Sequence, residues 1–545
     1  MQTKMQINMQ KRKSFSWETT GFLMILCLGA ALRLFALGKV PAGMHQDESL
    51  AAWNAFGILK EGMDTAGNRY PVYMAGWGDG HSALYSWLII PFLALNGGNF
   101  SPVISRLPQA LTGICTIAAV YVIGKKIWNQ RTGLWISFML AICPWHIMMS
   151  RWGLDANIAP GFLVFGFCFF LLAVSAEETR KKHGYLFLSA FFYGLSLYGY
   201  AVIWPVVPVM LVLQLGYGFW KRKLPADRWS FLAGVLLFLM ALPLLLFVLV
   251  NQGILQEIQL PFLTIPRMPG YRGGEIATGF GEMYAHLRTA LSLLWHQNTG
   301  APYDILLPWG LFYDIGRIFI VVGVLLVVAR VVKSLIRREY AGETFLFIQL
   351  LGGGLLCLLV AAVLHQINGL YIPLVICEGY AISVLTEIAG RKRARFSTLS
   401  GILIAAVYGC CLAGFQRDYY TEYQKTVNAY FGQGIEECVE YAMEVCQNTG
   451  CREITVEKGA QWPRLLLFTK TLPSQYLGTV EYDVAPAPAS FETGQGIRIR
   501  TRIDYADLSE ESLYIIYSYD VDTFSKDYNL TQFYDWYVAV PKTVQ

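Results

Sequence analysis

The chain has 545 residues, of which 55% are hydrophobic and only 15% are charged, whereas average soluble domains carry about 25% charged residues. Its mean hydropathy is +0.41. This composition excludes a water-soluble globular protein, and a net charge of +5 fits basic membrane loops better than nucleic-acid binding. Apolar runs of about 18–22 residues recur between residues 20 and 415, and each is long enough to cross a bilayer core of roughly 30 Å. We therefore predict a polytopic α-helical membrane protein.

Eleven apolar runs are predicted to be membrane spans. They are 19–38, 103–124, 132–150, 157–176, 185–200, 202–219, 230–250, 315–333, 345–364, 370–389 and 397–415. The first run follows a basic polar tail and lacks a small-residue cleavage site, which favours an uncleaved span over a signal peptide. The segment 82–96 is shorter and contains Pro91, which favours an interfacial or re-entrant helix.

Clusters of Lys and Arg decide the predicted topology. Six clusters separate the spans, near residues 11–13, 125–131, 180–182, 221–228, 330–338 and 391–395. With eleven spans all six clusters fall on one side, and the positive-inside rule makes that side cytoplasmic. We therefore predict a multi-pass plasma-membrane protein with a cytoplasmic tail at residues 1–18, a membrane domain at 19–416 and an outer C-terminus.

The C-terminal part, residues 417–545, is predicted to be a small extracytoplasmic α/β domain. A helical stretch is followed by runs rich in β-branched and aromatic residues: REITVEK, YLGTVEYDV, GIRIRTRI, SLYIIYSYDV and FYDWYVAV. Cys438, Cys446 and Cys451 lie in this part, and their odd number leaves any disulfide pairing open. No residue of the domain indicates its role.

The loop after the first span carries the strongest chemical signal. The sequence HQDESLAAWN places His45, Asp47 and Glu48 together at a membrane exit. Asp47 precedes an amphipathic helical pattern, so it could simply cap that helix. A partly desolvated, ionised aspartate could instead act as a general base or a metal ligand. Asp79 and His81, in GWGDGHSALYSW, are further candidates, with an ordinary solvated loop as the alternative.

Three other outer segments carry candidate residues. In PWHIMMSRWGLDANIAP, Arg151 and Asp155 form either an interfacial ion pair or a second acidic site. Arg267 and Arg272 in the long loop 251–314 suit a lipid phosphate. His365, in the short HQING turn, is a further candidate for binding a phosphate, with a simple polar turn as the simpler interpretation.

Several stretches together resemble a known family. They are LRLFALGKVPAGMHQDESLAAWNAF, ALYSWLIIPFLAL, SRLP and PWHIMMSRWGLDAN, and they are similar to bacterial GT-C membrane glycosyltransferases of the protein O-mannosyltransferase-like group. The resemblance covers residues 20–390 and implies a GT-C-like membrane domain. The chain contains no Walker loop, HExxH or GxSxG motif, so nucleotide-driven transport and soluble hydrolase chemistry have no support.

The resemblance implies inverting transfer of a sugar from a polyprenyl-phosphate donor to an acceptor outside the membrane. It makes Asp47 the base that deprotonates the acceptor, Glu48 its supporting neighbour and Asp155 a second acid. It places Arg151 near the donor phosphate. Relatives often carry an arginine where this chain has Gln366, so the phosphate would depend on other bases of the outer loops.

The implied partners are a polyprenyl-phosphate-linked sugar, membrane lipid and a protein, lipid or polymer acceptor. No cofactor is predicted to be required, and use of a divalent metal is left open because GT-C enzymes differ in this respect. The alternative function is a lipid or glycan flippase or transporter without transferase activity. Polar residues crowd one predicted face rather than the midplane where transporters bind, which favours surface chemistry. An inactive scaffold for the C-terminal domain is a third interpretation.

Overall fold

The computed structural model describes residues 17–270, 276–391 and 393–543. The predicted phosphate ligand Arg272 lies outside these residues. A bundle of apolar helices comes first, and a smaller α/β domain follows it.

Helices dominate the first 418 residues. In chain order they are α1 Trp17–Leu34, α2 Gln46–Glu61, α3 Leu84–Leu95, α4 Pro102–Ile127, α5 Gln130–Ile142, α6 Pro144–Met149, α7 Ala159–Ser175, α8 Thr179–Leu197, α9 Val206–Trp220, α10 Arg228–Asn251, α11 Phe280–His296, α12 Asp314–Ile336, α13 Glu343–Leu359, α14 Tyr371–Gly390 and α15 Ala394–Asp418. Two short hairpins interrupt them: β1 Tyr73–Met74 with β2 His81–Ser82, and β3 Ile258–Leu260 with β4 Leu263–Ile265.

Ten of the eleven predicted spans coincide with a single helix, since each long apolar run must satisfy its own backbone hydrogen bonds in lipid. The predicted span 132–150 is instead divided between α5 and α6, because the backbone is extended at Cys143. Within the described residues, seven helices are long and apolar enough to cross a membrane. The full count of eleven spans stays a prediction. Helix α3 has 12 residues and is about 18 Å long at 1.5 Å per residue. It is too short to cross the roughly 30 Å core, in agreement with the interfacial or re-entrant helix predicted there.

The basic clusters gather at one end of the bundle, called the basic end below. Hydrogen bonds connect them: Lys182 with Lys223, Lys221 with Arg338, Trp128 with Glu343, and Arg131 with Ser397. The five clusters within the described residues therefore lie on the same side, as the topology argument requires. The opposite end, called the site end, carries the loop between α1 and α2 and the turn that follows α6.

Helix α2 begins two residues earlier than a cap at Asp47 would place it. Its N-cap is His45, whose ring nitrogen accepts from the backbone N–H of Asp47. The interpretation of Asp47 as the cap is therefore wrong, and its carboxylate is available for other contacts. The helix ends at Gly62 in the left-handed conformation.

The last membrane helix does not stop at the predicted domain boundary. Helix α15 continues through a π-helical turn at Tyr419–Tyr423 into α16 Gln424–Phe431. The boundary predicted after residue 416 falls inside this continuous helix. The helix ends at Gly432, whose φ of +62° favours glycine.

The C-terminal domain pairs a seven-stranded mixed sheet with helices. Its helices are α17 Ile435–Thr449, α18 Trp462–Phe468, α19 Pro473–Thr479 and α20 Val521–Phe524. Its strands are β5 Glu453–Val456, β6 Glu481–Val484, β7 Ala487–Glu492, β8 Arg498–Arg500, β9 Ser512–Tyr517, β10 Tyr528–Phe533 and β11 Trp536–Pro541. The sheet order is β10-β11-β9-β5-β8-β7-β6, with β5 parallel to both β8 and β9. Cys438, Cys446 and Cys451 are free thiols.

The two parts of the molecule share one apolar core around α2. Leu50 and Trp53 of α2 pack in the same buried cluster as Ile435 and Leu466 of the C-terminal domain. The Trp53 indole also donates to the carbonyl of Thr471 at 2.9 Å. Helix α2 is therefore held between the membrane bundle and the C-terminal domain.

Candidate active site

A cavity of about 210 Å³ opens at the site end of the bundle. It brings together five of the residues predicted from the sequence: His45, Asp47, His81, Asp155 and His365. They come from α2, the β1–β2 hairpin, the turn after α6 and the turn after α13. Residues up to 320 positions apart in the sequence, His45 and His365, therefore meet at one site.

Asp47 lies in the first turn of α2, where the positive end of the helix dipole favours an ionised carboxylate. The indole of Trp77 donates to Asp47 Oδ1 at 2.7 Å, and His45 Nδ1 lies 3.5 Å from Oδ2. About one third of the Asp47 side chain is exposed. The carboxylate is thus oriented by the protein and still reachable from the cavity.

Asp155 is fixed by backbone amides on two segments. Its Oδ2 accepts from the N–H of Ser82 at 3.0 Å, and its Oδ1 accepts from the N–H of Ala156 at 2.7 Å. The amide of Asn368 in turn donates to the Ala156 carbonyl at 2.9 Å. These hydrogen bonds hold the HQING turn and the β1–β2 hairpin next to Asp155.

The three histidines differ in their surroundings. Burial, and next the positive charge of Arg464, lower the pKa of His45 to about 3, so His45 is neutral at physiological pH. The His81 Nε2 atom lies 2.8 Å from the Asn54 amide nitrogen, which assigns Nε2 as an acceptor. The His365 ring packs edge-on against Tyr200.

Glu48 lies next to Asp47 in α2, but its side chain is buried inside the protein. Its carboxylate pairs with Arg106, with Nε–Oε1 and Nη2–Oε2 distances of 2.8 and 3.0 Å. Both side chains are fully buried. A buried, bidentate pair of this kind fixes geometry rather than exchanging protons with substrate.

Three further predicted residues do not line the cavity. Arg151 is fully buried and donates to five carbonyls between residues 32 and 40. Arg267 is exposed and donates to the carbonyls of Val250 and Leu255. Asp79 lies beside Gly270, at the edge of the hairpin.

Arg151 acts together with two arginines that the sequence did not single out as site residues. Arg106 donates to the carbonyls of residues 37, 41 and 43, and Arg464 donates to that of Met44. We call Arg106, Arg151 and Arg464 the arginine cradle. Together they hold the loop that leads from α1 to Asp47, whose carbonyls would otherwise lack partners.

Asp304 and Trp152 are cavity residues that sequence analysis missed. Asp304 comes from the loop after α11 and is 6% exposed. Its Oδ1 and the Trp152 Nε1 have no hydrogen-bond partner within the described part of the chain. Burial raises the pKa of Asp304 to about 6. The sequence feature that could have identified Asp304 is an acidic residue flanked by apolar ones, in YDIL.

The described residues give no support for a bound metal ion. Among residues 17–270, 276–391 and 393–543, no three His, Cys, Asp or Glu side chains are grouped as metal ligands. Asp47 and Asp155 are instead oriented by N–H donors. Metal use stays an untested prediction, and the chemistry proposed below does not depend on it.

A comparison with known families matches one part of the chain. Residues 80–247 match the family model described as dolichyl-phosphate-mannose-protein mannosyltransferase. A comparison with curated proteins gives no significant match.

Solved structures match over nearly the whole chain. ArnT from Cupriavidus metallidurans bound to undecaprenyl phosphate has a TM-score of 0.56 and 11% identity, covering 96% of this chain and 98% of ArnT. Its apo state has a TM-score of 0.54 and 10% identity, covering 95% and 97%. The archaeal oligosaccharyltransferase AglB from Archaeoglobus fulgidus, in complex with an inhibitory peptide and a dolichol-phosphate, has a TM-score of 0.51 and 11% identity, covering 84% of this chain and 64% of AglB. The predicted resemblance is thereby confirmed, and the chain has the fold of the GT-C membrane glycosyltransferases, with a multi-pass helical part and a small α/β C-terminal domain.

Proposed function

We propose that the chain is an inverting glycosyltransferase that moves a sugar from a polyprenyl-phosphate donor to an acceptor at the site end. The observation that carries this proposal is the meeting of Asp47 and Asp155 on one cavity. Its volume of about 210 Å³ is below the roughly 300–1,000 Å³ of sites for drug-sized ligands, and it suits a single sugar residue. The ArnT and AglB structures with bound polyprenyl phosphates support the donor class.

Asp47 is the base in this proposal. It takes the proton of the acceptor hydroxyl while the acceptor oxygen forms a bond to the anomeric carbon. The bond between that carbon and the phosphate oxygen breaks on the opposite face, and the polyprenyl phosphate leaves with the electron pair. A general base contributes about 10²–10⁴-fold in rate, and positioning of the two reactants contributes more.

The remaining cavity groups bind and orient the donor. Asp155, held by two backbone amides, contacts the sugar or the acceptor in this proposal. The unpaired Asp304 Oδ1 and Trp152 Nε1 supply one acceptor and one donor for sugar hydroxyls. His365 is the predicted phosphate-binding residue that lines the cavity, so we assign the donor phosphate to its side.

The test uses the purified full-length chain in lipid nanodiscs. It is incubated with radiolabelled polyprenyl-phosphate sugars and an extract of the cell envelope as the acceptor source. We expect label transfer that falls 10²–10⁴-fold in Asp47→Asn. Asp314→Asn is the matched control, because Asp314 is exposed and pairs only with Arg317 among the described residues. Transfer at the wild-type rate by Asp47→Asn contradicts the base assignment.

The same purified protein in sealed liposomes separates transferase from transporter. Movement of the intact lipid-linked sugar between leaflets, with no label in acceptor or released sugar, supports the flippase alternative. Because the mechanism breaks a bond, it also predicts that polyprenyl phosphate accumulates in step with transfer.

A further inference from the structure

We infer that Arg464, contributed by the C-terminal domain, is a positioning residue for Asp47. The inference rests on the proposed function, because it treats Asp47 as the base of the transfer. It gives the C-terminal domain a role that its sequence does not reveal: the domain completes the active site.

Arg464 forms hydrogen bonds with three separate segments of the chain. Its guanidinium is 1% exposed, and its Nε donates to the carbonyl of Met44 at 2.8 Å. Other guanidinium nitrogens donate to the carbonyls of Tyr430, Gly459 and Ala460. Met44 directly precedes the N-cap of α2. One arginine therefore ties the end of the last helix and the C-terminal domain to the start of the catalytic helix.

The same short helix, α18, also contacts the Asp47 side chain through two tryptophans. Trp462 lies two residues before Arg464 on α18, and its ring packs against Trp77 with 5.3 Å between centroids. The Trp77 indole is the donor to Asp47 Oδ1. Helix α18 thus fixes Asp47 through its backbone, by way of Arg464, and through its side chain, by way of the two tryptophans.

Arg464 also interacts electrostatically with Asp47 and Glu48. Burial lowers the pKa of Arg464 to about 10, while Asp47 and Glu48 raise it, so Arg464 stays charged at neutral pH. Its charge in turn favours the ionised form of nearby carboxylates and the neutral form of His45. Besides Glu48 and Arg464, the titratable groups that line the cavity with Asp47 in the described part of the chain are His45, His81, Asp155, Tyr200, Tyr303, Asp304 and His365.

The activity test compares Arg464→Gln and Arg464→Lys with Arg452→Gln, an exposed arginine of the same domain. In Arg464→Gln we expect kcat/KM to fall about 10–100-fold, since a misplacement of about 1 Å costs up to 10². We also expect the acid limb of its pH–rate profile to move upward by up to about 1 unit, because a positive charge near Asp47 is lost. Arg464→Lys keeps the charge, so its rate falls while its pH profile stays in place.

A second measurement does not depend on activity. Hydrogen–deuterium exchange of the full-length protein reports the backbone amides of residues 42–50 directly. We expect faster exchange there in Arg464→Gln and Arg464→Lys, and wild-type exchange in Arg452→Gln. If Arg464→Gln fails to fold, Arg464→Lys carries the same test.

The outcomes separate the inference from the proposed function. A wild-type protein that transfers no sugar overturns the proposed function, while the exchange result still judges the contact itself. An active wild type with unchanged exchange, rate and pH profile in Arg464→Gln overturns the positioning role. Lower activity with an unmoved pH profile in both variants assigns Arg464 a purely structural role and also overturns it.

Discussion

The two ends of the bundle use positive charge in opposite ways. At the basic end, side chains such as Lys181, Lys333 and Arg337 are exposed, where they mark topology. At the site end, Arg33 and the arginine cradle are among the largest fully buried side chains, and most of their hydrogen bonds go to backbone carbonyls. An arginine at a membrane exit is therefore not by itself a phosphate ligand. Here the buried arginines hold the loop that leads to Asp47.

The largest expected effect comes from breaking the buried ion pair between Arg106 and Glu48. Arg106→Met leaves the Glu48 carboxylate buried without its partner, which costs about 3–5 kcal/mol of unfolding free energy. The measurement is denaturant unfolding in detergent micelles. Glu48→Leu combined with Arg106→Met should recover part of the loss, because no buried charge then remains unpaired. Equal stability of the single and double variants contradicts this account.

A second expected effect concerns the buried carboxylate of Asp304 at the site end. The pKa of Asp304 is raised from 3.8 to about 6 by burial, so its ionisation destabilises the folded state. Stability is full below pH 4 and falls as the pH rises towards 6, by about 3 kcal/mol at most.

Asp304→Asn tests this by removing the titrating proton. Above pH 6 the variant should be more stable than the wild type, while near pH 4 the two should match. The proposed sugar contact also predicts a higher KM for the donor. Unfolding curves at pH 4 and pH 7.5 decide the first point, and a variant less stable at pH 7.5 argues against it.

A third, smaller effect tests how closely the site end is packed. Gly43 has a φ of +77°, and an added Cβ would lie 2.3 Å from the carbonyl oxygen of Phe431. Gly43→Ala should cost about 1–2 kcal/mol from its backbone conformation alone, with the clash added. Gly253 has the same φ and open space around it, so Gly253→Ala is the matched control. Only Gly43→Ala should also slow transfer.

The smallest effect is expected at the basic end. Lys333→Met removes an exposed charge from α12 and should change the free energy of unfolding by less than about 0.5 kcal/mol. The same unfolding experiment as for Arg106→Met measures it. A loss comparable to that of Arg106→Met removes the distinction between the two ends.

The helices were predictable because their signal is local. Each span needs its own continuous apolar run, and the charges between runs fixed their relative sides. The N-cap of α2 was misplaced by two residues because histidine is not a usual N-cap. Strands β7 and β10 were missed because prolines and polar residues interrupt their patterns, while their partners lie elsewhere in the chain.

The site was predictable only in part, for a related reason. Asp47 and Asp155 stood out because acids at predicted membrane exits are conspicuous. The roles of Arg151 and Arg464 depend on backbone carbonyls up to 420 positions away, which leave no mark in residue type or spacing. Asp304 became a candidate only through its burial, which sequence alone does not give.

The unbroken helix from Ala394 to Phe431 sets a practical rule for chimaeras of this protein. At about 1.5 Å per residue its 38 residues reach roughly 57 Å, well past a bilayer core. A chimaera junction placed after residue 416, where hydropathy alone would put it, falls in the interior of this continuous helix. A junction at Gly432–Gly434 instead exchanges the C-terminal domain as one piece, and an incoming domain must bring its own counterpart of Arg464.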